Sequence, residues 1–521
     1  MKKYIFKAAF VLSMALSLVS CQDWLTEPSP AVTKLSDFFT TGSTAIQAVN
    51  GAYVPLMWEF NSTYFPEWFI GDVVSDDALK GGQSKGDMSI VYDMENFKTA
   101  TNNAYLLDFY RAQYLGIGRC NLILQEVPGM NTDAVLTATL KNRVIGEAKY
   151  LRAMYYFRLV RIFGGVPKVD FVVSSSKQWI QPRATVDSIY SFIISDLKSA
   201  NTLLWKKSKY ASGDLGRATK GAAQALLLKT YLYTKQFDKA KSWGDSIINS
   251  GEYSLVPNYA NNFTLAGENG KESVFEIQYM AEGTSDYGNG DGFTRGTFTV
   301  ILTRSRAPKV GGWGFNKPTQ NLYNEYETND PRRDATIINP TNAEIANPAE
   351  EIYLGCRYLN KKYALMNPDS TYIGMSHPTR GPINNKVIRY ADVLLMYAEA
   401  CCELNNLDRA KWALEEVRNR ARGGNAAILP AFPNYNSYSD NQTDLRKAIR
   451  HERRVELAME GHRWFDICRW GVAKETMDAY KAGESAAAQA EMSTFVAGKH
   501  ELFPIPAAEI DLNPMTQNPG Y

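Results

Sequence analysis

Carboxylates are the first residues in this chain whose spacing could do chemistry. Ser75-Asp76-Asp77 places two acids side by side. Hydrolysis of a glycosidic bond needs two carboxyl groups roughly 5–10 Å apart across the sugar. The competing reading is a polar turn, or hydrogen bonds to a ligand. The loop Asp286 to Gly292, DYGNGDG, has the texture of a calcium loop. With Asp291-Gly292 in its fifth and sixth positions, however, Tyr287 and Phe298 fall on the first and twelfth, and neither can ligate. Only a looser calcium site remains open there. The four histidines, His377, His451, His462 and His500, form no zinc set, and HERRVE at His451 lacks a second His four residues on. No nucleophile elbow, phosphate-binding loop or dinucleotide fingerprint occurs. The reading is therefore a non-enzyme that needs no metal or cofactor.

A second charged constellation lies in LRKAIRHERRVELAMEGHRWFDICRWG. Glu452, Glu456 and Glu460 recur at helical spacing and would repel one another. Arg453, Arg454, Arg463 and Arg469 are near enough to offset them. The expectation is an internal ion-pair network locking two helices together, not a phosphate or nucleic-acid site. The chain has 57 basic against 55 acidic residues. Loss of Lys2, Lys3 and Lys7 with a leader would bring it to near balance, which leaves no electrostatic footprint for nucleic acid.

The N-terminus carries chemistry of another kind. Met-Lys-Lys and Lys7 precede an apolar run from Ala8 to Val19, the layout of a secretory signal peptide. The run is about a dozen residues, short of the roughly 20 a spanning helix needs. It ends Leu18-Val19-Ser20-Cys21, which looks like a bacterial lipobox. Cleavage before Cys21 frees its thiol to carry lipid, and more than one acyl chain is needed for stable anchoring. Residues 1–20 are read as the leader and 21–35 as a tether. Residues 36–521 are read as one integrated domain. Cys120, Cys356, Cys401, Cys402 and Cys468 are odd in number and irregular in spacing, so they predict small buried hydrophobes and not a disulfide framework.

The elements that must position these residues are mainly α-helices in pairs. Val144 to Ile162 repeats apolar residues at three- and four-residue steps and stops at Gly164-Gly165. Its partner starts near Thr185, a plausible N-cap. Lys220 to Tyr233 is apolar nearly all round, as a buried helix is, and turns at Lys235-Gln236 into a helix ending at Gly251. Tyr390 to Leu404 and Ala410 to Ala421 turn at Asn405-Asn406. A fourth pair spans Thr443–Gly461 and Arg463–Ala479. Units near 34 residues have the tetratricopeptide (TPR) period. The expected architecture is a right-handed scaffold of TPR-like pairs over 100–257 and 387–480. Regions 60–97 and 258–386 are rich in Gly, Asn and aromatics, with short β-like pieces at Ser273–Tyr279 and Thr297–Leu302. Long loops with this texture predict a ligand face.

Several stretches resemble the SusD/RagB family of outer-membrane nutrient-binding proteins. They are CQDWLTEPSP from Cys21, GRCNLILQEVP (118–128), GEAKYLRAMYYFRLVRIFGGVPKV (146–169) and GRATKGAAQALLLKTYLYTKQFDKA (216–240). IRYADVLLMYAEA (388–400), ERRVELAMEGHRWFDICRWG (452–471) and LFPIPAAEIDLNPMTQNPGY (502–521) complete the series in family order. The resemblance implies a helical fold with an irregular ligand face and a lipoprotein on the outer face of the outer membrane. It also implies a SusC-like TonB-dependent β-barrel transporter as partner. The common cargo is oligosaccharide or polysaccharide; the RagB branch handles peptides. A surface glycoside hydrolase is the remote alternative. Sugar recognition needs exposed rings and planar polar groups on loops held by a rigid base. The residues that meet this in the two loop regions are Tyr64, Trp68, Asp76, Tyr92, Tyr287, Trp313 and Phe315. Trp313, between glycines in GGWGF, is the foremost.

Overall fold

The computed structural model describes residues 38–57, 59, 66–281, 295–307, 310–340, 352–366 and 380–521. Cys21, Tyr64, Tyr287 and the DYGNGDG loop lie outside the described residues, as do the leader and tether.

Helices dominate, and several of the longer ones begin where the sequence supplies a capping side chain. α1 (Gly42–Met57) is followed by a π-type turn, Phe69–Val73, strand β1 (Ala78–Gly81) and the short α2 (Ser89–Glu95). Then come α3 (Ala104–Glu126) and α4 (Ala138–Phe163), whose N-terminal amides are taken up by the side chains of Asn103 and Thr137. α4 stops at Gly164. α5 (Val186–Leu203) starts at Thr185, whose hydroxyl accepts from the Ser188 amide as its residue type predicts. α6 (Lys220–Tyr233) and α7 (Phe237–Ile248) turn through Lys235 in the left-handed region. Every residue of α6 from Gly221 to Leu232 is buried.

The middle of the chain holds β2 (Ser273–Ile277), α8 (Thr299–Thr303), β3 (Phe315–Pro318), α9 (Gln320–Glu325) and α10 (Pro331–Thr336). β4 (Ile337–Ile338), β5 (Leu359–Asn360) and β6 (Asn385–Arg389) follow. The strands pair antiparallel in twos: β1 with β3, β2 with β6, β4 with β5. The expected strand at Thr297–Leu302 is corrected here. Only Thr297 makes a β-bridge, to Gly381, and the apolar run after it coils into α8. A short apolar run has no periodicity to separate the two states.

The C-terminal part comprises α11 (Tyr390–Glu403), α12 (Leu407–Ala421), α13 (Gln442–Leu457), α14 (Arg463–Arg469), α15 (Ala473–Gly483), α16 (Ala486–Glu491) and α17 (Ala507–Leu512). The expected fourth pair is corrected in its second member, which breaks at Gly471 into α14 and α15. Successive helices pack side by side: α1 on α3, α3 on α4, α4 on α5, α5 on α6, α6 on α7. α7 then meets α11, which packs on α12 and α13. Small residues set the closest approaches. A Cβ on Gly116 would lie 2.3 Å from the Tyr155 ring, so only glycine lets α3 sit this near α4. One apolar cluster runs from Ala45 to Ile505. No described helix is long and apolar enough to cross a membrane.

The cysteines behave as small hydrophobes. Cys120, Cys356, Cys401 and Cys402 are buried and free, and Cys468 is half-buried. Burial raises the thiol pKa at every one of them.

The ion-pair network is present, with different partners and a wider reach than the sequence suggests. Glu452 pairs with Arg332 and Arg418, while Glu456 pairs with Arg332, Arg389 and Arg420. Glu460, beyond the end of α13, accepts from Arg389 at 2.7 Å and from Lys362 at 2.7 Å. Arg389 also reaches Glu272. These side chains are almost wholly hidden from water. Burial alone would raise the pKa of the Glu460 carboxyl, but Arg389 and Lys362 overcome it and hold the group at about 2. The lattice therefore bolts α12 and α13 to the 258–386 region, not merely helix to helix.

Candidate functional site

Trp313 sits on the turn that leads into β3. The turn is laddered onto α8 and the segment just after it. The Gly312 amide donates to the Ser305 carbonyl at 2.8 Å, Trp313 to Ile301 at 2.8 Å and Gly314 to Arg304 at 2.9 Å. Gly311 and Gly314 have φ of 69° and 68°, which bulkier residues resist. A Cβ on Gly312 would lie 2.4 Å from the Arg304 carbonyl oxygen. The three glycines are thus needed to press this backbone flat, leaving the indole half-buried at the edge of the core.

The described residues that border the undescribed segments meet around this turn. The buried carboxylate of Glu59 accepts from the Thr297 hydroxyl, the Phe298 amide and the Thr299 hydroxyl. Burial pushes its pKa up to about 7 against those donors. Met280 donates to the Arg295 carbonyl at 2.8 Å, and Thr297 and Gly381 exchange amide bonds at 2.8 Å. Arg304 donates to the Ala364 carbonyl at 2.7 Å. Glu59 was not singled out in the sequence. Its signal was an acid inside an apolar run, PLMWEF, which demands buried partners.

The remaining expected site residues divide. Trp68 is corrected: it is 3% exposed, its Nε1 donates to Thr299 Oγ1 at 3.1 Å, and its ring packs on Phe69 at 4.1 Å. Phe315 is corrected too, with 1% exposure and its ring on Phe69 and below the Lys80 ammonium. The β1–β3 ladder brings Gly81 opposite Phe315 and drives that ring inward. Asp76 is corrected as a ligand contact. Arg463 grips it with two bonds of 2.8 and 2.9 Å, and Arg454 adds a third contact at 2.9 Å. Burial opposes ionisation, but the two guanidiniums prevail and hold the Asp76 carboxyl at about 2. Asp77 pairs with Arg454 at 2.8 Å. Both acids of the Ser75-Asp76-Asp77 motif are therefore hidden and paired, the polar-turn reading and not the hydrolytic one. Tyr92 on α2 is half-buried, and its hydroxyl donates to Glu491 on α16. Among the described residues no group of His, Cys, Asp or Glu is arranged to hold a metal ion.

Fold and site together define a helical-pair scaffold bearing a loop-built face with an accessible ring. The chain belongs to the SusD/RagB family. Residues 271–521 match the SusD family, and residues 72–232 match a SusD-like family described as starch-binding and associating with the outer membrane. SusD-like protein P2 of Formosa agariphila is 27% identical over the whole of both chains. A SusD-like protein of Bacteroides ovatus is 25% identical, with 89% of this chain and 82% of that one aligned. Among solved structures, a laminarin-binding SusD-like protein overlays with a TM-score of 0.77 at 28% identity, across 92% of this chain and 100% of the other. Surface glycan-binding protein A from Bacteroides fluxus gives 0.76 at 25% identity, with 92% and 100% covered.

Proposed function

We propose that this chain is a cell-surface glycan-binding lipoprotein that captures oligosaccharide or polysaccharide and hands it to a SusC-like TonB-dependent transporter. Residues 1–20 serve as leader, 21–35 as tether with lipid on Cys21, and 36–521 as one binding unit on the outer face of the outer membrane. The observation that carries this reading is the overlay, across 92% of this chain, on a laminarin-binding SusD-like protein. The clamped Trp313 turn supports it, because stacking on sugar demands a ring held rigid before the ligand arrives. Tyr64, Tyr92 and Tyr287 are the further rings proposed for the same face.

The test is isothermal titration of the chain from Gln22 onward against neutral and charged polysaccharides and a peptide panel, repeated with Trp313→Ala. Binding to one glycan class with at least tenfold loss in the variant, about 1.4 kcal/mol, is expected. Binding to peptides alone would move the protein to the peptide-handling branch. Release of reducing ends from a bound glycan would show a hydrolase. Fractionation of a Cys21→Ser strain checks the anchor, with loss from the outer membrane expected.

A further inference from the structure

An open groove lies among the C-terminal helices, and the Trp313 turn is not part of its lining. It has a volume of about 440 Å3 and runs between the 431–441 loop and the helices α13, α14 and α15. Its charged lining is nearly all committed. Arg463 is spent on Asp76, and Arg454 on Asp76, Asp77 and Glu325. His451 bonds Glu325 and Glu327, and Lys447 pairs with Asp444. Arg450 differs. Among the described residues it has no ion pair or hydrogen-bond acceptor, and the nearby acids Glu399 and Glu403 are already gripped by Arg469 and Arg446. The Arg450 guanidinium lies over the Trp470 ring at 4.8 Å. This cation–π contact anchors the guanidinium while its N–H donors meet no acceptor among the described residues, which leaves them for the two oxygens of a carboxylate or sulfate.

The opposite wall is built and not incidental. Tyr438 lines the groove and is backed edge-on by Tyr435 at 5.2 Å. At the loop tip Asn436 and Ser437 both have positive φ, 50° and 56°. Two successive non-glycine residues there cost conformational energy that persists only where the surroundings over-determine it, a habit of ligand-binding loops. A half-buried ring, planar polar groups and one uncommitted guanidinium are what a charged sugar needs. One acid, Glu475, is exposed on the far wall and opposes an anion.

We propose that this groove is a second carbohydrate site, selective for a sugar unit bearing a carboxylate or sulfate group, with Arg450 as its anion-binding residue. It does not depend on the Trp313 face. Titrate the full chain with an oligogalacturonate, a sulfated galactan oligosaccharide, laminarihexaose and an oligoglutamate peptide. At least one acidic saccharide should bind, and Arg450→Gln should weaken it about tenfold, the scale of one lost charge-assisted fork. Which acidic saccharide binds decides between carboxylate and sulfate. Glu475→Gln should tighten that binding, Trp313→Ala should leave it unchanged, and Arg450→Gln should leave laminarihexaose unchanged. Thr476→Trp, which places bulk in the groove while keeping the arginine, should abolish it and serves if Arg450→Gln fails to fold. The proposal is overturned if neither acidic saccharide binds, if neither Arg450→Gln nor Thr476→Trp alters binding, or if oligoglutamate binds equally well through Arg450.

Discussion

Two parts of this molecule use the same residue types to opposite ends. In the lattice around α13, arginines and glutamates are sealed from water and every charge is answered by another. At the Trp313 turn and the Arg450 groove, a half-buried ring and a guanidinium are held against neighbours but find no hydrogen-bond acceptor for their side-chain N–H groups among the described residues. Rigidity is common to both. What separates scaffold from site is whether the polar and aromatic surface is already spent.

That contrast can be broken or sharpened by substitution, and the largest effect belongs to the lattice. Arg389→Met leaves Glu456 and Glu460 short of a buried counter-charge. Loss of one member of a buried ionic cluster costs about 3–5 kcal/mol, so denaturant unfolding should show a drop of that order. Next comes Gly312→Ala. Its Cβ would meet the Arg304 carbonyl at 2.4 Å, and the backbone must shift. Overpacking of this kind costs about 1–3 kcal/mol, and glycan affinity should fall alongside stability. Trp313→Ala, by contrast, should cost affinity with little loss of stability. A variant as unstable as Arg389→Met would mean that the ring is core, and the comparison would fail.

A smaller effect follows pH. Burial disfavours the His451 cation, but the hydrogen bonds it donates to the Glu325 and Glu327 carboxylates outweigh it and raise the pKa to about 9 from an unperturbed 6.5. A raised folded-state pKa gives stability that is complete below 6.5 and is lost as pH climbs through about 9. The melting temperature should therefore decline across that window, and His451→Gln should flatten the decline.

The helices were legible because their signal is local and repeated. The Thr185 cap, the all-round burial of α6 and the Asn405-Asn406 turn are each specified within a few residues. The lattice was legible in kind, since acids at helical spacing need cations. Its partners were not, because Arg332, Arg389 and Lys362 come from distant segments. The same limit explains Trp68 and Phe315. Composition marks a stretch as rich in rings, but which ring turns inward depends on β1 meeting β3, and no short window contains both strands. Asp76 was misread for the same reason, since its partners, Arg454 and Arg463, lie almost at the other end of the chain.

The pairing of Asp77 with Arg454 spans 377 residues. At roughly 5–20 residues per second of synthesis, the acid waits some 20–75 s for its counter-ion to be made. Until then the segment around Ser75 cannot bury its two carboxylates without cost. Early tertiary closure of the N-terminal quarter is thereby discouraged, which would suit the export that the proposed lipoprotein role requires. A chain cut short before Arg454 would carry the same defect permanently, an unfinished seam that marks it for proteolysis.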